Sequence, residues 1–353
     1  MSTEHTSSLG WHRVEGTARE TGTRLGVHGR EAVHQHLLSS DIWRRVTSER
    51  HVAQFDTLAR AVQSRFPGIW DEIVGLADGL EVPLDKVFAW NCRGDLLASV
   101  PDGCTTVLTP GPVPGLAHNE DGLPFFRDTC FIAEVRPDDA IPFHAFCYPG
   151  SLPGHTFAWT GAGLVQTVNN LRLRGIEAAI PRMVLGRAVL SAASLDEALA
   201  ILHEDPSSGG FHMALAQAGD SRLVSVEFGG GRISVTQPRM REIHANHALH
   251  VPLPAAGQII TASSADRQQR GDSLAASDAT SREIMNDRWT KGLPIRRDMP
   301  DDPDSENTLA TVDFRVGATC VEWDIYDSAS DTPCFKGRTE PQSAWRQDPA
   351  ADG

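Results

Sequence analysis

The chain changes texture abruptly at Gly103-Cys104, and that boundary limits the folds open to it. Ahead of it, Val33, Leu37, Leu38, Ile42, Val46, Val52, Phe55, Leu58 and Val62 recur every three to four residues. This is the spacing of one buried helical face, and it predicts helix over 29–66. Pro67 and Gly68 interrupt the pattern, 70–80 forms a shorter amphipathic piece closed by Gly79, and Pro83 suits the first turn of a third helix reaching about 98. From Cys104 onward the runs are short and β-like: 105–108, 115–119, 129–135, 143–147, 156–159 and 164–168. Helices are expected over 182–190 and 195–203, the second with Ser194 as N-cap. Alternating runs follow at 212–218, 223–228 and 232–236, with Gly229-Gly230-Gly231 as a hairpin turn. A polar helix at 263–277, a surface loop at 291–307, a last hairpin from 307–316 and 319–326, and a poorly ordered tail from Ser328 complete the pattern. Helices, strands, helices, strands in that order define an α+β fold.

Bulk properties narrow the function. A length of 353 residues suits one large domain or two. No run approaches the roughly 18 apolar residues of a membrane span, and residues 1–10 lack the apolar core of a signal peptide. The expected location is the cytoplasm, with no membrane partner. Net charge is −14 without a basic cluster, which argues against nucleic acid; the acidity serves solubility first and mildly favours cationic small molecules. The six cysteines, at 92, 104, 130, 147, 320 and 334, form no CxxC pair, so neither a zinc ribbon nor a redox motif is indicated. Reduced, mostly buried thiols are expected, with Cys130 and Cys147 as packing residues. No cofactor is implied.

Cys104 differs by its neighbours in Asp102-Gly103-Cys104-Thr105-Thr106-Val107, with His118-Asn119-Glu120-Asp121-Gly122 close behind. Cysteine is a ready nucleophile once a base takes its proton. If the Gly103–Cys104 bond were cut, the freed α-amine, titrating near about 8, could be that base. Such a cut needs the thiol to attack the Gly103 carbonyl, a strained geometry that glycine tolerates. The hydroxyls of Thr105 and Thr106 could polarise that attack.

These segments, with Asn91-Cys92-Arg93-Gly94-Asp95, resemble the isopenicillin N acyltransferase family, to which insect N-β-alanyl-dopamine hydrolase also belongs. The resemblance begins at Gly22-Thr23-Arg24-Leu25-Gly26-Val27-His28-Gly29. It continues through Glu227, Asn246-His247 and Ser263-Ser264-Ala265-Asp266-Arg267, and ends in Thr308-Leu309-Ala310-Thr311-Val312. It implies the four-layer αββα sandwich of the N-terminal nucleophile hydrolases and autocleavage between Gly103 and Cys104. Segment 1–103 and nucleophile-bearing segment 104–353 would then stay associated as one domain, with room for a homo-oligomer. The substrate implied is a small N-acyl amide or amine, hydrolysed or used for acyl transfer through a thioester on Cys104.

In that family the residue matching Asp121 holds the new amine, although an Asp-Gly turn would also explain Asp121-Gly122. Asn246 would supply an oxyanion donor. Arg93 and Asp95 would support the site rather than form a surface ion pair, and Asn119 would bond within the same turn as Asp121. Glu120 replaces an aromatic residue common in the penicillin enzyme, which suggests a different pocket. Ser263 and Arg267 would approach the site, with Ser263 equally readable as a helix N-cap, and Asn169 and Asn170 would line the pocket or form a turn. His244, His247 and His250 recur every three residues, but Pro252 ends the segment without a helical pattern, so no metal is expected. Two other readings stand beside this one: an unprocessed cysteine peptidase with His118 or His247 as base, and a non-catalytic ligand-binding protein of the same fold.

Overall fold

A computed structural model describes residues 8–100, 103–254, 256–299, 301–302 and 304–342. Asp102 of the nucleophile motif and residues 1–7 lie outside the described residues. The chain opens with β1 (Gly10–Gly16), α1 (Ala18–Ala32), α2 (Asp41–Val46), α3 (Val52–Arg65), α4 (Pro67–Leu80), α5 (Leu84–Asn91) and α6 (Arg93–Leu96). Strands β2 (Gly103–Thr109), β3 (Gly115–Gly122), β4 (Phe131–Pro137), β5 (Phe143–Cys147), β6 (Ala158–Thr160) and β7 (Leu164–Leu171) follow. Next come α7 (Arg182–Val189), α8 (Leu195–Glu204), β8 (Gly210–Gln217), β9 (Leu223–Gly229), β10 (Arg232–Thr236) and β11 (Glu242–His244). The remainder is α9 (Ala262–Ala275), α10 (Ser281–Met285), β12 (Asn307–Val316), β13 (Val321–Tyr326) and β14 (Phe335–Thr339).

The strands form two sheets, one ordered β1-β4-β5-β6-β7-β8-β9-β10 and the other β11-β2-β3-β12-β13-β14. Large aromatics fill the space between them: Trp159 of β6 lies 5.7 Å from Phe314 of β12 and 4.8 Å from Trp323 of β13, ring centre to ring centre. The outer face of the first sheet, with Phe211, Met213 and Val226, packs on Met183 and Val184 of α7 and Leu202 of α8. The outer face of the second, with Val107, Ala117 and Ile243, packs on Ile284 and Met285 of α10. The order is therefore helices, sheet, sheet, helices: the αββα layering that the resemblance implied.

Glycines draw α1 against α4. A Cβ at Gly22 would stand 2.0 Å from the Glu72 carbonyl oxygen, and one at Gly75 would stand 2.0 Å from that of Arg19. Gly22, Gly26 and Gly29 are thus helical packing positions, and the helix begins at Ala18, capped by Thr17 and Glu20, well before position 29. Several other expectations are corrected. The run over 29–66 is broken, with Ser40 capping a new start at Asp41. Pro67 is the first residue of α4 rather than a spacer, and Glu81 in the left-handed region, not Gly79, closes that helix. The segment from Ser328 contributes β14, which pairs with β13; residues 343–353 lie outside the described residues. Strand β1 and helix α10 went unforeseen, being short or lacking a clear period, while β11 is the strand end expected just before Asn246.

Candidate active site

Alternation along two strands builds the site. Cys104 and Thr106 of β2 pair with Glu120 and His118 of β3, so all four share one face. That face looks into the space between the sheets, where Thr106 Oγ1 donates to Asn169 Oδ1 of β7 at 2.7 Å. Gly103, Thr105, Asn119 and Asp121 take the opposite face. Asn119 there donates to the Met285 carbonyl at 2.8 Å and accepts from Thr311 Oγ1 at 2.7 Å, so it braces α10 instead of bonding within a turn. Asp121 is likewise a strand residue. The expected Asp-Gly turn is absent because β12 continues the pairing through Asn307 opposite Gly122.

Cys104 is 3% exposed. Its amide nitrogen, the atom that cleavage would free as an amine, donates to Asn246 Oδ1 at 2.9 Å. Asn246 Nδ2 donates to the Asn170 carbonyl at 3.1 Å, so the structure turns its oxygen, not the expected oxyanion-donating N–H, toward Cys104. Arg267 Nη2 reaches the same Asn246 oxygen at 2.6 Å, while Nη1 bonds Thr105 Oγ1 at 2.9 Å and the Cys104 carbonyl.

The thiol's near neighbour on its own face is a carboxylate. Sγ lies 3.7 Å from Glu120 Oε2, which lies 3.0 Å from His118 Nε2; Glu120 Oε1 accepts from Tyr148 at 2.9 Å. The order Cys, Glu, His puts an acid oxygen between thiol and imidazole, unlike a Cys-His pair with the acid outermost. His247 is turned to Ser264 Oγ at 2.8 Å. Burial pushes His118 down to about 3, so its ring is neutral.

Behind Gly103 a buried charge network fills the space a side chain would need. A Cβ on Gly103 would lie 2.5 Å from Glu306 Oε2, and that carboxylate is held by Arg172 at 3.1 Å, Arg297 at 3.1 Å and Ser263 at 3.3 Å. Ser263 is thus an inward-facing network residue, while the N-cap of α9 is Thr261. Asp121 stands directly across from Gly103, bonded to Thr308 at 2.6 Å. Burial raises its carboxyl to about 6 against the opposing pull of Arg267 and that hydroxyl.

Asn246 owes its position to Glu227, which accepts from His244 Nε2 at 2.8 Å and from the N–H groups of Leu249, His250 and Val251. Burial favours the neutral acid there, but these bonds hold Glu227 ionised at about 2. His247 is thus turned to Ser264 and the His250 ring to Ser234 and Ser225, while His244 and the His250 N–H share Glu227. Asn169 and Asn170 lie on β7 rather than in a turn; Asn169 also donates to the His244 carbonyl at 3.0 Å. Arg93 and Asp95 are buried away from any surface pair: Arg93 stacks on Trp90, and Asp95 accepts from the N–H groups of Arg182 and Gly209 at 3.1 and 2.6 Å. A small space of about 10 Å³, room for one water-sized sphere, is lined by Ile42, Trp90, Val100, Phe126 and Tyr148.

The fold is an α+β sandwich of two sheets between helical layers. The chain belongs to the acyl-coenzyme A:6-aminopenicillanic acid acyl-transferase family, whose model matches residues 109–326. It is 27% identical over 165 residues to the β-alanyl-dopamine/carcinine hydrolase of Drosophila melanogaster, a stretch covering 41% of this chain and 43% of that protein. A solved structure with some likeness is a mutant of conjugated bile acid hydrolase from Clostridium perfringens, at 10% identity and a TM-score of 0.41, over 67% of this chain and 92% of that one. Among the described residues, no helix is long and apolar enough to cross a membrane.

Proposed function

We propose that the chain is a self-processing cysteine amidohydrolase. In the first step Sγ of Cys104 attacks the Gly103 carbonyl carbon, the C–N bond breaks, and the Cys104 nitrogen takes up the thiol proton. Water then adds to the thioester, the C–S bond breaks, and segment 1–103 ends in a carboxylate. In turnover the new amine accepts the Sγ proton, the thiolate attacks the substrate amide, and that proton passes to the leaving amine. Water, or an acceptor amine, resolves the thioester. The observation that carries this reading is the pairing of the Cys104 nitrogen with Asn246 Oδ1, beside the Arg267 guanidinium. An acceptor at that atom orients the amine whose lone pair the mechanism needs. Gly103, with no room for a Cβ, and Asp121 across from it complete the cleavage position. Val100 lines the small space by Tyr148, so release of the strand end at Gly103 would let the acyl pocket widen.

The acyl group we assign carries an ammonium. Glu120 gives the pocket a carboxyl acceptor beside the thiol, which fits a β-aminoacyl amide of the kind the Drosophila relative is named for. Six free cysteines agree with a reducing, cytoplasmic setting. Intact mass under denaturing conditions tests the core of the reading: wild type should give two pieces divided at residue 103, and Cys104→Ala a single chain. An uncut wild type would remove self-processing. Hydrolysis of β-alanyl amides in preference to acetyl amides tests the substrate class.

A further inference from the structure

The hydrogen-bond chain behind His118 fixes where its lone pair points. Asn169 Nδ2 is spent on the His244 carbonyl, so its Oδ1 is the acceptor facing Thr106 at 2.7 Å. The single hydroxyl proton of Thr106 goes to that oxygen, and Thr106 Oγ1 therefore accepts from His118 Nδ1–H at 2.8 Å. Nε2 is left with its lone pair aimed at Glu120 Oε2, 3.0 Å away. Two acceptors at that distance require a proton or a metal ion between them, and the thiol of Cys104 stands on the same side. Its Sγ, His118 Nε2 and a Glu120 oxygen all lie within 4.8 Å of one another, and all three residues are buried.

We propose that Cys104, His118 and Glu120 form a zinc site, with Zn²⁺ bound through Sγ, Nε2 and Oε2 and water in the fourth position. Tetrahedral zinc with bonds of about 2.0–2.3 Å sets its ligand atoms roughly 3.3–3.7 Å apart. The separations here, 3.7 Å from Sγ to Oε2 and 3.0 Å from Oε2 to Nε2, bracket that range. The outer supports are in place, since Thr106 orients the imidazole and Tyr148 holds the far oxygen of Glu120. Charge also balances: one thiolate and one carboxylate neutralise the divalent ion, which a buried, desolvated position requires. Binding displaces two protons to solvent, one from the thiol and one shared by Glu120 and His118. Bound zinc occupies the sulfur lone pair and so holds Cys104 out of any acyl chemistry until the metal leaves.

Cobalt(II) is the probe, added to the chelator-treated full-length chain whether or not the 103–104 bond has been cut, so the result does not depend on self-processing. One equivalent should produce a near-ultraviolet thiolate-to-cobalt absorption, displaced by Zn²⁺ with release of about two protons. Cys104→Ala should abolish the band. Tyr148→Phe, which removes the hydroxyl that holds the far oxygen of Glu120, should weaken cobalt affinity about 10- to 100-fold while leaving the band's shape. No band in the wild type, or affinity unchanged in Tyr148→Phe, would overturn the site.

Discussion

The Cys104 amide nitrogen donates to Asn246 Oδ1 at 2.9 Å, joining residues 142 positions apart at the start of β2 and the end of β11. Asn246→Ala removes the acceptor that would aim the amine lone pair and releases Arg267 Nη2 as well. Turnover should fall about 100-fold with little change in KM, the pattern of a group acting mainly in the transition state. Steady-state kinetics on an N-acyl amide checks this.

Glu227 gathers His244 and three successive backbone N–H groups around one carboxylate and so fixes the loop carrying Asn246. Glu227→Gln puts an amide N–H where an N–H must be accepted. We expect a stability loss of about 2–4 kcal/mol, as for a broken buried charge network. Thermal unfolding should show it, and kcat should drop alongside because Asn246 loses its position.

The helix pair under the first sheet depends on missing side chains. Gly75→Ala places a Cβ 2.0 Å from the Arg19 carbonyl oxygen, a contact that only separation of α1 and α4 relieves. The expected cost is about 1–3 kcal/mol or more, read as a lower denaturation midpoint. Gly68→Ala, with nothing near its Cβ position, should leave the midpoint almost unchanged.

Asp313 faces Asp324 across β12 and β13, and burial, with that second carboxylate opposing Arg315, raises it to about 6. A folded value above the unfolded one means the protonated form is favoured in the native state. Its stabilising contribution is full below about pH 3.9 and is lost as pH rises through about 6. Asp313→Asn cannot ionise, so it should gain about 1–2 °C in Tm at pH 8, roughly 1 kcal/mol, and nothing near pH 4.

The place of Cys104 at the start of a strand was legible because the glycine ahead of it and the β-branched residues after it are adjacent in sequence. The layering was legible from periodicity and resemblance together. The Cys104, His118 and Glu120 face was not, because Asp121-Gly122 reads locally as a turn. Only β12, nearly 190 residues further along, shows that the strand continues through Gly122 and that Glu120 belongs to its inward face. Asn246 was read by type as an N–H donor, and its actual orientation is set by the Asn170 carbonyl on another strand. Glu306, Arg297 and Arg172 lie in unpatterned sequence, so nothing local marks them as the charges packed against Gly103.

Strand β1 lies parallel to β4 at the edge of the eight-stranded sheet, Gly10 opposite Phe131 and Gly16 opposite Pro137. During synthesis β1 emerges well over 100 residues ahead of the strand it will cover. Once in place it turns a row of unpaired β4 amides and carbonyls away from other molecules. A chain shortened to begin at α1 would keep Cys104 and its neighbours yet present β4 as a ready template for intermolecular strand addition. The opening strand thus decides which backbone edge the sheet presents to its surroundings.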